Sequence, residues 1–183
     1  MGISESFFST FTQKKEYDFV YVGAINKSRK VDKLLAKFKN EYKNKTLLVI
    51  GHIEKEWIDA FNAPNIIFTG RLNYNDVAQT AGLAQYGINY IPNEYPYNRQ
   101  TSTKLLEYLA MGLKVVTNDY FWVRNFEKSR NVNFFKIDEN MNIDFEKLNS
   151  FNFKSCDMSD LTWENILLNS GIRESLDEMI RKS

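Results

Sequence analysis

From residue 17 onward, short runs rich in β-branched and aromatic residues alternate with stretches whose apolar positions recur at helical spacing. The runs predict strands over 19–22, 47–50, 66–68, 87–91, 113–117 and 132–137, and the stretches between them predict helices over 29–43, 54–62, 74–84, 102–111 and 120–128. Val31, Leu34, Leu35 and Phe38 set the apolar stripe of the first helix, and Asp76 suits the start of the third, where a helix favours negative charge. Strict alternation of this kind predicts an α/β fold: a Rossmann-like, three-layer α/β/α domain around a mainly parallel sheet of about six strands. Residues 1–16 have no clear period and read as a linker or interdomain segment, leaving 17–183 as one domain. From Ile143 the pattern turns helical and acidic, with a terminal helix expected over 162–181 in which Trp163, Ile166 and Leu167 form a stripe. There is no internal repeat or low-complexity tract.

One helix departs from the simple pattern. In TSTKLLEYLAMGLKVVTND (101–119), Leu106, Leu109, Ala110 and Leu113 fall at i, i+3, i+4 and i+7, and Leu105, Tyr108 and Met111 extend the apolar surface to nearly the whole circumference. Lys104 and Glu107 nevertheless lie three apart inside it, with Thr103 four before Glu107, so all three share one stripe. Buried charges require partners, so Lys104 and Glu107 either pair with each other or face a polar ligand. Gly112 ends this helix, and the valines after it form a short buried strand.

The run KLLEYLAMGLKVVTND resembles the signature of the nucleotide-sugar-binding domain of group 1 (family 4) glycosyltransferases of the GT-B fold, with Lys114 where most members carry proline. The resemblance spans roughly residues 17 to 170 and is most specific in this block. It implies that the chain is the donor-binding, C-terminal half of a GT-B enzyme, whose helices after residue 162 open with Trp163 and Glu164. By the same resemblance Glu107 is the second, ribose-binding glutamate of an E-x7-E motif, and Arg99 stands where the first glutamate is expected. A carboxylate that accepts two hydrogen bonds side by side suits the vicinal hydroxyls of a ribose. Arg99 in turn suits a carboxylate on an acidic sugar, since a guanidinium pairs with one bidentately.

In a doubly wound sheet ligands bind beyond the carboxyl ends of the strands, which directs attention to the loops there. The loop after the first strand, 23–30, joins Gly23 to Lys27 and Arg29 at a helix entrance, a composition suited to phosphate. The resembling family places an arginine where this chain has Ala24, and Arg29 falls nearest its phosphate-binding lysine. Thr101, Ser102 and Thr103, followed by Lys104, either cap the buried helix or help hold a phosphate at its start. Gly70 and Arg71 follow the third strand, where the family places a glycine segment against the nucleobase. Tyr90, Tyr95 and Tyr97 border the loop before the buried helix and are candidates for sugar contact.

Composition narrows the chemistry. With 24 basic and 23 acidic side chains the net charge is +1, which gives no reason to expect nucleic-acid binding, although 27–45 is locally basic. The single histidine, His52, and single cysteine, Cys156, exclude an internal disulfide and leave little for a multi-histidine metal site. No D-x-D motif is present, which agrees with metal-independent GT-B chemistry; the resemblance implies a sugar donor linked to UDP or GDP, with no metal and no other cofactor expected. No apolar run reaches the length of a spanning helix and no signal-peptide pattern opens the chain, although Met1 to Ser6 matches the myristoylation pattern M-G-x-x-x-S. The expected location is cytoplasmic, free or peripheral at the inner membrane face. The expected function is the donor half of a sugar transferase in surface polysaccharide or glycoconjugate synthesis, acting with an acceptor-binding domain in cis or a partner subunit in trans. The alternatives are a fragment of a GT-B nucleotide-sugar epimerase and a noncatalytic, flavodoxin-like interaction module that keeps a buried Lys104–Glu107 pair.

Overall fold

The computed structural model describes residues 2–8 and 14–172. Six parallel strands form one sheet: β1 (Tyr17–Val22), β2 (Leu47–Ile50), β3 (Ile66–Gly70), β4 (Ala84–Asn89), β5 (Lys114–Asn118) and β6 (Phe135–Ile137), in the order β3-β2-β1-β4-β5-β6. The helices are α1 (Val31–Asn40), α2 (Lys55–Phe61), α3 (Tyr74–Ala81), α4 (Thr103–Ala110), α5 (Phe121–Arg130), α6 (Phe145–Ser150) and α7 (Trp163–Leu168). The expected three-layer α/β/α architecture is therefore present.

Alternating strand residues feed two cores. Phe19, Leu47 and Val49 pack with Val31, Leu34, Leu35 and Phe38 of α1, with Trp57 of α2 and with Leu148 of α6. Val20, Leu48 and Ile50 pack on the other face with Ala78 and Ala81 of α3, Leu105 and Leu106 of α4 and Val123 of α5. Burial on both faces is why the strands read as continuous apolar runs rather than as alternating ones.

Several boundaries move, each for a local reason. The first helix, expected over 29–43, begins at Val31: the Asn26 side chain caps a single 3-10 turn (Lys27–Arg29), and Lys30 then adopts a left-handed conformation (φ 54°) that breaks the run. The third helix ends at Ala81 rather than 84, because the Leu83 carbonyl accepts the backbone N–H groups of Glu16 and Tyr17 where β1 begins. The fourth strand occupies Ala84–Asn89 rather than 87–91, since its register is set by pairing with β1 (Tyr17 with Ala84, Phe19 with Tyr86). Tyr90 and Ile91 are buried beyond its end. The last strand is confined to Phe135–Ile137.

Part of the segment read as a linker is docked on the domain. Ile3 donates its N–H to the Leu161 carbonyl and accepts from the Trp163 N–H, and both Ile3 and Phe7 are buried. The terminal helix starts at Trp163 as expected, behind a Thr162 cap, and α7 ends at Leu168; the rest of the expected helix, from 173, lies outside the described residues. Among the described residues, no helix is long and apolar enough to cross a membrane.

Candidate nucleotide site

The strand order reverses between β1 and β4, and a cleft of about 600 Å³ opens at the carboxyl ends of these two strands. Tyr21, Val22, Gly23, Ala24 and Arg29 line it from the β1 side; Ile91, Tyr97 and residues 100–104 line it from the β4 side, with Glu107 one turn into α4.

Backbone packing shapes the floor. The Gly23 N–H donates to the Ile50 carbonyl and the Gly51 N–H to the Gly70 carbonyl, so the ends of β1, β2 and β3 stand side by side. A Cβ on Gly51 would strike the Gly23 carbonyl oxygen, and Gly51 also holds a φ of 154°, so glycine is required there. Tyr108 of α4 crosses beneath: its hydroxyl accepts the Val22 N–H at 2.9 Å, and its ring lies against Gly87, where an added Cβ would come within 2.5 Å.

The start of α4 is fixed by a buried polar network. Ser102 Oγ caps the helix by accepting the Leu105 N–H and donates to Asn89 Oδ1 at 2.7 Å. Asn89 Nδ2 donates to Thr117 Oγ1 and to the Tyr120 hydroxyl, while the Asn118 side chain donates to the Ile91 carbonyl and accepts from its N–H. Ser102, expected at a phosphate, has its hydroxyl committed to this network. Its contribution is to hold the α4 entrance in the cleft wall.

Lys104 and Glu107 do not pair with each other: among the described residues no carboxylate lies within 4.0 Å of the Lys104 ammonium. Lys104 Nζ instead stands 4.1 Å from the centroid of the Tyr21 ring, a cation–π contact, and 3.8 Å from the position of a Cβ on Gly23. Burial, with repulsion from Arg29, pulls the ammonium down to about 7 against the opposing pull of Glu107. Burial likewise pushes the Glu107 carboxyl up to about 7, opposed by the Tyr74 hydroxyl, 3.5 Å from Oε1, and by Lys104. Two cations and one carboxyl thus share a cleft in which none of their charges is fully compensated.

The remaining sequence candidates divide. Gly23, Arg29, Thr103, Lys104 and Glu107 converge on the cleft, and Arg29 also lies 5.0 Å over the Tyr97 ring. Lys27 is exposed in the 3-10 turn and does not line the cleft, whereas Arg29 at the other end of the same turn does. Arg99 is exposed and stacks on Phe121 at 4.3 Å, outside the cleft lining, since the 3-10 turn Tyr97–Arg99 directs it towards α5. Gly70, with φ 71°, and the exposed Arg71 lie at the end of β3, beside the cleft rather than in its lining. Of the tyrosines, Tyr97 lines the cleft, Tyr95 is exposed, and Tyr90 is buried with Lys30 5.9 Å above its ring. His52 is exposed in the loop after β2. Tyr21, Tyr74 and the Asn89 network were not legible as site residues: Tyr21 stands in a run that predicts a strand, Tyr74 at the expected start of a helix, and Asn89 is a lone polar residue in an apolar strand.

Residues 16–135 match the family model of the group 1 glycosyl transferases, about two thirds of the chain. The chain belongs to this family. Among solved structures, the group 1 domain is similar to AviGT4, a glycosyltransferase involved in avilamycin A biosynthesis (TM-score 0.65, 13% identity, all of this chain and 58% of that one). It is also similar to sucrose-phosphate synthase from Thermosynechococcus elongatus (TM-score 0.64, 14% identity, all of this chain and 52% of that one). A third similar structure is the pneumococcal O-GlcNAc transferase GtfA in complex with UDP and GlcNAc (TM-score 0.53, 15% identity, 76% of this chain and 28% of that one). At these identities the likeness establishes the fold, which is that of one half of a GT-B structure. The chain spans little more than half the length of the first two. No curated protein sequence matches it.

Proposed function

We propose that this domain is the donor-binding half of a glycosyltransferase that takes a sugar from a nucleoside diphosphate, UDP- or GDP-linked, and passes it to a glycan or lipid-linked acceptor in surface polysaccharide or glycoconjugate synthesis. The observation that carries the reading is the convergence of Arg29 and Lys104 on one cleft, with no carboxylate among the described residues within ion-pair distance of either. Two like charges held together beside a partly buried carboxyl are costly unless an anion completes the site. A diphosphate supplies that anion, and Glu107 stands ready for the ribose hydroxyls.

In this mechanism Arg29 and Lys104 stabilise negative charge as it builds on the departing diphosphate, the main catalytic contribution of the donor half and one that side-chain cations supply here without a divalent metal. Acceptor binding belongs to a further domain, in cis or on a partner subunit, a proposal supported by the length of the similar structures relative to this chain. The working location is the cytoplasm or its membrane face.

Calorimetry with UDP, GDP and ADP in the presence of a chelator tests the reading. Binding of at least one of them is the expected result. A folded sample that binds none at millimolar concentration overturns it in favour of an interaction module.

A further inference from the structure

Both cations of the cleft rest on aromatic rings: Lys104 lies 4.1 Å from the centroid of Tyr21 and Arg29 lies 5.0 Å from that of Tyr97. The second contact joins opposite walls. Arg29 ends the 3-10 turn after β1, whereas Tyr97 opens the 3-10 turn between β4 and α4, and both line the cleft. Burial and then repulsion from Arg29 pull the Lys104 ammonium down, and that repulsion acts equally on the guanidinium, pushing it out of the cleft. Among the described residues no carboxylate within ion-pair distance holds Arg29 back. The Tyr97 ring opposes the push, and the turn that carries it is itself fixed. The Asn98 N–H donates to the Glu94 carbonyl, the Arg99 N–H to the Pro96 carbonyl and the Gln100 N–H to the Tyr97 carbonyl, which closes the turn on itself. Arg99, stacked on Phe121 at the start of α5, ties the turn to the body of the domain.

We propose that Tyr97 is a positioning residue for Arg29: its ring, presented from the opposite wall, holds the guanidinium in the phosphate-binding part of the cleft against the repulsion of Lys104. The inference rests on the nucleoside diphosphate reading above and adds a residue that acts through Arg29 rather than on the ligand. A ring suits this task better than a carboxylate. A carboxylate would neutralise the guanidinium and occupy its N–H donors, whereas a ring attracts the cation through its quadrupole and leaves the charge and all five in-plane donors to an incoming anion. Tyr97 therefore bears on any diphosphate, with or without a nucleoside attached. Direct contact of its ring with the ligand is the competing account.

The test measures UDP and inorganic pyrophosphate by calorimetry on wild type, Y97A, Y97F, R29A and R29A/Y97A. Y97A should weaken both ligands by a similar factor, roughly fivefold to thirtyfold, the scale of a partly desolvated cation–π contact. The thermal midpoint of the ligand-free domain should change little, because Tyr97 is a surface residue, 37% exposed. Y97F keeps the ring and should restore affinity to within about twofold of wild type. Without Arg29 the Tyr97 change should cost UDP less than about twofold, since the group it acts through is gone. Should Y97A fold poorly, Y97L keeps bulk without an aromatic face and should show the same loss and the same dependence on Arg29. Three results would each overturn the proposal and leave the nucleotide reading intact: wild-type affinity in Y97A or Y97L, a Y97F as weak as Y97A, or a loss that persists in full in the R29A background and so makes Tyr97 a direct ligand contact. Failure of wild type to bind either ligand overturns the nucleotide reading and this proposal with it.

Discussion

Glu107 separates two accounts of the same side chain. As half of a structural ion pair it would be expected to touch Lys104, and it does not. As a ribose ligand it should cost the empty domain something, because its carboxyl is held up near 7 by burial. E107Q should therefore lower nucleotide affinity by roughly tenfold to a hundredfold, the loss of charge-assisted bonds to two hydroxyls, with the thermal midpoint unchanged or raised. A marked fall in the midpoint with unchanged affinity in the folded fraction would sink the ribose assignment. The same site predicts an unusual pH profile for the ligand-free domain. Between about 4.5 and 7 the folded Glu107 holds a proton that the unfolded chain has released, so this group's contribution to stability falls as pH rises. Between about 7 and 10.5 the unfolded Lys104 holds a proton that the folded one lacks, so its contribution rises with pH. Denaturant titrations across this range should show a dip near neutrality from the pair. E107Q should remove its acid limb and K104M its alkaline limb; identical profiles for all three proteins would refute the account.

At the scale of elements, the site depends on how α4 seats against the sheet. Tyr108 holds the end of β1 through the Val22 N–H, and it reaches that position only because Gly87 leaves room for its ring. G87A should destabilise the domain by about 1 to 3 kcal/mol through overpacking and weaken pyrophosphate binding by displacing the β1 loop that carries Gly23 and Arg29; chemical denaturation and calorimetry on one variant read both effects. Nothing in the sequence marks Gly87, which sits inside an apolar run. What the sequence did carry was whatever follows from local pattern: the alternation of elements, the buried character of α4, and the polar stripe of Lys104 and Glu107 within it. It did not carry facts set by pairing between distant segments. The register of β4 against β1 moved its boundaries by two to three residues, and the 3-10 turn after β1 leaves Lys27 exposed while Arg29 lines the cleft. Arg99 shows the same limit, since its stacking partner Phe121 lies over twenty residues further along the chain. Tyr21 was hidden for a different reason: an aromatic residue in a strand leaves the same mark on hydropathy whether it only packs or, as here, also lies under a lysine in the cleft lining.

On the donor-half reading proposed above, the molecule as a whole offers half of what sugar transfer requires. Tyr97 lines its cleft while partly exposed, and Tyr95 and Phe121 are exposed elsewhere on the surface. Similar structures have nearly twice its length, and bringing a donor and an acceptor into reacting geometry is where much of an enzyme's rate enhancement arises. The expected outcome is therefore a separation of binding from turnover. Nucleoside diphosphate should raise the thermal midpoint of this chain in a concentration-dependent way, as any ligand specific to the folded state must. Incubation of the same sample with nucleotide-sugar donors and candidate acceptors should give no glycosylated product, and at most slow release of free sugar, because water reaches an open donor site whereas an acceptor is not held there. Supplying an acceptor-binding domain, fused or as a separate subunit, should restore transfer, and restoration should fail with E107Q or K104M. Robust transfer by the chain alone would refute the half-enzyme reading. Binding without turnover, rescued by the second domain and lost again with either variant, is the pattern it predicts.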